Sequence, residues 1–191
     1  MTFGEWELLA KQGIAEAEYN LGLMFSRGKE VPRDDKKAVK WYRLAAEQGI
    51  AQSQTNLGLM FGKGQGVEQD YNEAVKWYRL AAEQGYAQAQ YNLGLMYSKG
   101  EGVPSDDKEA AKWYRLSAEQ RITGAQSNLG LMYEKGQGVE QDYVEADKWF
   151  NIAGLSGNEI GRRNADIIEK KMTPGQIAVA VGLTRKWLEK L

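Results

Sequence analysis

In this 191-residue chain, residue type and spacing could support chemistry at two pairs of adjacent carboxylates and at two glycine-rich runs. Asp34 with Asp35 and Asp106 with Asp107 could share general acid–base work, and GKGQG at 62–66 or EKGQG at 134–138 could cradle a phosphate. Neither reading fits its surroundings. The carboxylates stand where helices begin, a place that capping explains, and adjacent positions on a helix do not face each other. No strand precedes the glycine runs and no Gly-Lys-Ser/Thr follows them. The chain has no cysteine and no histidine, which removes thiol nucleophiles, disulfides, Cys/His zinc sites and the commonest general base. The residues therefore point to no enzyme, no metal and no cofactor.

Composition bounds the partners. With 42% hydrophobic and 27% charged residues the chain can bury a core, and Lys+Arg 25 against Asp+Glu 26 gives no reason to expect nucleic acid or an anionic membrane surface. No run of 18 apolar residues exists, so no membrane span is expected. The opening MTFGEWELLAKQG has neither the basic nor the apolar segment of a signal peptide. A chain without cysteine is compatible with the cytoplasm, and with the periplasm or secretion if a signal peptide has been removed.

The elements that must carry any site are repeats. WYRLAAEQG at 41–49 recurs letter for letter at 77–85, and WYRLSAEQR follows at 113–121. The period is 36, which divides the chain into an N-terminal part-repeat helix (1–13), four full copies at 14–49, 50–85, 86–121 and 122–157, and a decayed copy at 158–191 that closes a single repeat domain. Each copy reads as two helices. Ala89, Leu93 and Met96 form the stripe of the first, which Gly100 stops. The pairs Asp70/Glu73, Asp106/Glu109 and Asp142/Glu145 predict a capping box at the start of the second, and Thr173/Gln176 predicts a variant with Pro174 at the first helical position. The recurring Trp41, Trp77, Trp113 and Trp149 read as packing between stacked repeats.

AQAQYNLGLMYSKGEGVPSDDKEAAKWYRLSAEQ closely resembles the Sel-one-like repeat family, a branch of the tetratricopeptide superfamily, through A-x-A-x-x-x-L-G-x-x-Y, G-x-G-V and A-x-x-W-Y. The resemblance implies an all-α, right-handed superhelical solenoid of antiparallel helix pairs whose first helices line a concave groove, and a role in holding proteins or peptides.

Two ladders then become candidate groove residues. Asn20, Asn56, Asn92, Asn128 and Asn164 recur at every repeat although asparagine is a poor helix former, and an amide can both donate to and accept from the backbone of an extended peptide. The competing reading is an asparagine that ties its helix to the next repeat. Tyr19, Thr55, Tyr91, Ser127 and Arg163 flank them and vary from copy to copy, as ligand-reading positions would. Arg27, Lys63, Lys99, Lys135 and Lys171 follow seven residues later on the same face, where they could draw an acidic partner or simply favour a helix C-terminus. The expected function is a monomeric, non-catalytic scaffold for a protein or extended peptide. A structural or assembly role through the convex face or the ends is the second reading. A hydrolase of the penicillin-binding type proposed for some relatives is third, since no S-x-x-K is present and the cysteine staples of those relatives are missing.

Three local expectations complete the reading. Glu30 stands where the later loops have Gly66, Gly102 and Gly138, so the loop at 28–33 should differ in backbone. Arg121 replaces the stop glycine of other repeats, which should weaken that seam. Counting back one period from Asp34 puts the first cap before Met1, so the chain should open inside a helix, as it would after a truncation or the loss of a preceding segment.

Overall fold

The computed structural model describes residues 1–189, and the described residues form eleven α-helices with no strand. They are α1 Phe3–Lys11, α2 Ala15–Arg27, α3 Asp35–Glu47, α4 Ala51–Lys63, α5 Tyr71–Glu83, α6 Ala87–Lys99, α7 Asp107–Glu119, α8 Thr123–Lys135, α9 Tyr143–Leu155, α10 Glu159–Glu169 and α11 Pro174–Leu188. Two compact units divide the chain within α6, the first comprising residues 1–96 with 100–104 and the second residues 97–99 with 105–189.

In the first unit each helix packs on the next from α1 to α5, and in the second α7 packs on α8, α8 on α9, and both α10 and α11 on α9. Small residues permit the close approach. Ala38, Ala45, Ala74 and Ala81 are fully buried beside Leu21 and Leu57, and Ala146 and Ala153 beside Leu129 and Phe150. The glycine after each such leucine is a contact residue: a Cβ on Gly58 would stand 2.8 Å from the Tyr78 ring, and one on Gly130 would stand 2.6 Å from Phe150. The Leu-Gly pair of one helix and the aromatic of the next are therefore one packing unit.

The helix boundaries follow from local chemistry. Asp34, Asp70, Asp106 and Asp142 each cap the second helix of a repeat by accepting backbone N–H bonds from its first turn. Left-handed Gly28, Gly64, Gly100 and Gly136 end the first helices. Only half of the predicted capping box forms at the aspartates. Glu73 and Glu109 turn away from the cap and accept instead from the indole N–H of Trp77 and Trp113, both at 3.1 Å, while Lys76 and Lys112 reach the same carboxylates. The indole is a buried donor that needs an acceptor, and a glutamate one turn earlier supplies it. Complete boxes form at Thr2/Glu5 and Thr173/Gln176.

Two expectations are corrected. Helix α1 starts at Phe3 under the Thr2 box, so the chain does not open inside a helix. Glu30 adopts the same positive φ (65°) as Gly66 (71°), so its loop keeps the common backbone. The strictest demand for glycine here is a close approach: a Cβ on Gly66 would lie 2.3 Å from the Asp35 carbonyl oxygen, and one on Gly102 equally close to that of Tyr71. Glu30 carries the left-handed backbone cost that a glycine would not. Its Oε2 also accepts the Phe3 N–H at 3.0 Å.

Candidate binding surface

The repeated face of the first helices carries an asparagine, a leucine and a cation at i, i+3 and i+7: Asn20, Leu23 and Arg27 on α2, and Asn56, Leu59 and Lys63 on α4. In the first unit these side chains edge two shallow depressions. One, of about 160 Å³, is lined by Leu23, Arg27, Tyr42, Asn56 and Leu59. The other, of about 200 Å³, is lined by Trp6, Asn20, Leu23 and Arg27. Tyr42 forms a floor: its hydroxyl lies 3.0 Å from Ser26 Oγ, and burial raises its pKa while its hydrogen bonds with Ser26 and Asn56 oppose the shift.

All five ladder asparagines are half-buried. Asn20 Nδ2 donates to the Glu16 carbonyl at 2.7 Å and Asn92 Oδ1 accepts from Gln88 Nε2 at 3.2 Å, both within their own helices. Neither bond ties one repeat to another. Asn56 does reach the preceding repeat, through Tyr42.

The residues that tie repeats are ones the sequence reading did not single out. Gln54, Gln90 and Gln126 are buried, and each donates its Nε2 to a carbonyl eight residues earlier, Ala46 at 3.1 Å, Ala82 at 3.2 Å and Ala118 at 3.1 Å. Gln84 donates to Gln54 Oε1 at 2.8 Å, and in the first copy Gln48 donates to Glu18 at 2.7 Å. Their recurrence two positions before Asn56, Asn92 and Asn128 was the available signal.

The flanking row divides. Thr55 is buried, with its hydroxyl returned to the Ala51 carbonyl at 2.8 Å, and Ser127 is buried as well, so neither stands open to a ligand. Tyr19 is half-buried with its ring 6.2 Å from that of Tyr42; Tyr91 is half-buried and Arg163 exposed. Of the cations, Arg27, Lys63, Lys99 and Lys135 are exposed, and among the described residues the three lysines form no ion pair. Lys171 departs from its row: it pairs with Glu134 at 3.0 Å, which raises its pKa.

Among the described residues no cluster of acidic, histidine or cysteine side chains is arranged to hold a metal, and no helix is long and apolar enough to cross a membrane. A periodic helix pair whose copies share one packing unit and present one repeated polar face defines a helical-repeat solenoid of the tetratricopeptide-like class. The chain belongs to the Sel1 repeat family, whose model matches residues 15–50, 51–86, 87–121 and 123–158. Sel1 repeats are commonly protein-interaction scaffolds.

Solved structures agree. The chain is 37% identical, with a TM-score of 0.91 over 98% of its length, to c5321 of uropathogenic Escherichia coli, a protective antigen displaying an SLR fold. It spans 40% of that protein. A Sel1 repeat protein of Oxalobacter formigenes is 34% identical at a TM-score of 0.79, with 98% of this chain and 74% of that one covered. Immunity protein Pa5087 of Pseudomonas aeruginosa shares the fold at 21% identity and a TM-score of 0.51, over 98% of this chain and 71% of its own. Among curated proteins none matches the chain.

Proposed function

We propose that the chain is a non-catalytic scaffold that holds an extended, acidic segment of a partner protein on the asparagine-bearing face of its first helices. The observation that carries this reading is the combination, repeated by the first helices, of a half-buried amide and an exposed cation two turns further on. In the first unit Asn20 and Asn92 keep their hydrogen bonds within their own helices, and Arg27 and Lys63 stand exposed on the same face. In the second unit Asn128 is half-buried and Lys135 is exposed without an ion pair. Amides suit a peptide backbone, the leucine between amide and cation offers apolar contact, and the cations suit carboxylates. The depressions are shallow, so affinity should be modest and its charged share should fall as salt screens it beyond about 8–10 Å.

Panning a displayed peptide library against the full chain tests the reading. Recovered peptides should be rich in Asp and Glu, should bind more weakly in high salt, and should be lost on replacing Arg27 and Lys63 together by glutamate while helix content is kept. Peptides without acidic bias, or binding indifferent to that charge reversal, would overturn it.

A further inference from the structure

A face that repeats every 36 residues offers an extended segment the same amide and leucine, and a cation, copy after copy, so it does not by itself fix the register in which the segment lies. One depression of the first unit breaks the repetition. It is lined by Leu23 and Arg27 of α2, Tyr42 of α3, and Asn56 and Leu59 of α4, with Gln65 of the following loop. At about 160 Å³ it falls below the roughly 300–1,000 Å³ of small-molecule sites and has the size of a seat for one side chain.

Its charges leave one cation over. Arg33 and Asp35, which also line it, neutralise each other through two bonds of 2.9 Å, while among the described residues Arg27 forms no ion pair. Hydroxyls orient the amide that shares the depression with it. Ser26 Oγ donates to the Leu23 carbonyl at 3.1 Å and lies 3.0 Å from the Tyr42 hydroxyl, so Tyr42 is the donor of that second bond and its oxygen is left to accept from Asn56. With one N–H on Tyr42, the Asn56 amide keeps its other N–H and its Oδ1 for a ligand.

The other full copies lack this set. The second has Lys63 for Arg27 and Gly62 for Ser26, and its Asn92 bonds to Gln88 of its own helix. The third keeps Ser98 and Tyr114 but carries Lys99. In the fourth, Lys135 replaces Arg27, Phe150 replaces Tyr42, and Glu134 replaces Ser26 and is itself paired with Lys171. Arginine matters here because its planar fork meets both oxygens of a carboxylate, which a lysine ammonium does not.

We propose that this depression anchors the bound segment: it seats one carboxylate side chain, with the Arg27 guanidinium as counter-ion and the Asn56 amide as second donor, and so sets the register of the segment on the first unit. Such an anchor rests on the acidic segment proposed above. One uncompensated cation matches a carboxylate rather than a phosphoryl group, which carries close to two negative charges at neutral pH. Leu23 and Leu59 supply apolar surface for the methylenes of the seated side chain.

Panning the displayed peptide library against the full chain, in parallel with Arg27→Lys, which keeps the charge and removes the fork, and with Asn56→Ala, tests the anchor. Peptides recovered on the parent should align on one fixed Asp or Glu; those recovered on either variant should stay acidic but lose that fixed position. A parent-selected peptide, made with an amidated C-terminus so that no terminal carboxylate competes, should weaken about tenfold or more when its fixed acid is changed to the amide, and by clearly less on Arg27→Lys. Acidic peptides without a fixed position, a fixed position kept on either variant, or an equal loss on parent and Arg27→Lys would overturn the anchor and leave the acidic-segment reading standing. Peptides without acidic bias on the parent would overturn both.

Discussion

The side chain of Gln126, sealed from solvent, donates to the carbonyl of Ala118 across 3.1 Å, and Gln54 and Gln90 make the same bond to Ala46 and Ala82. These amides fasten the first helix of a repeat to the end of the helix before it. A buried amide with a fixed acceptor contributes to stability, while Asn92, half-buried two positions after Gln90, keeps its side-chain bond within its own helix.

Gln126→Leu should accordingly lower stability by about 1–3 kcal/mol, as a buried hydrogen bond is lost. Asn128→Ala should change it by a few tenths of a kcal/mol at most, since alanine is the better helix former. Urea denaturation of the two variants side by side gives the comparison; equal losses would assign the asparagine a tying role.

Glu18 occupies the tie position as a carboxyl, and burial raises its pKa against the hydrogen bond from Gln48, with Glu47 adding a smaller upward push. A carboxyl with a raised folded pKa holds its proton longer folded than unfolded. The penalty is therefore absent below the ordinary value of 4.5, grows as pH rises through the raised value, and is full at neutrality. Glu18→Gln should stabilise the chain by about 1 kcal/mol at neutral pH and by little near pH 4, with the amide free to donate as Gln54 does. Melting temperatures across that pH range test it, and an equal gain at both ends would contradict the assignment.

The two left-handed loop residues should respond in opposite directions. Glu30→Gly relieves a backbone cost of about 1 kcal/mol, less the bond to the Phe3 N–H, so stability should rise or hold. Gly66→Ala drives a methyl to 2.3 Å from the Asp35 carbonyl oxygen, and a loss on the order of 3 kcal/mol is expected in chemical denaturation.

Arg121 carries a positive φ of 70° where Gly85 and Gly157 sit in other copies, and Gly124 lies in the first turn of α8. Amide exchange should be faster across 120–126 than across 84–90, and Arg121→Gly should slow it by stabilising the turn by about 1 kcal/mol. Equal protection of the two segments would show that packing overrides the local strain.

What the sequence by itself determined is what local chemistry decides. Asp70, Asp106 and Asp142 mark helix starts because a side-chain oxygen two or three residues away is the nearest acceptor for an orphan N–H. Gly64 and Gly100 mark helix ends because a left-handed residue without a Cβ closes the last turn; a period of 36 made the repeats, and with them the family and the all-α fold, legible. The tertiary structure decided whatever depends on which face meets which neighbour. Glu73 and Glu109 leave the predicted box because the indoles of Trp77 and Trp113, once buried, need an acceptor. Thr55 and Ser127 leave the candidate surface because their small side chains are covered on α4 and α8 while the larger Tyr19, Tyr91 and Arg163 of the same row reach outward, and Gln54, Gln90 and Gln126 tie the repeats because a carbonyl of the preceding helix comes within reach only after packing. Asp147 reads as one polar substitution at a position filled by Val39, Val75 and Ala111 in earlier copies; that its Oδ2 is left without a hydrogen-bond partner in the core is decided by packing.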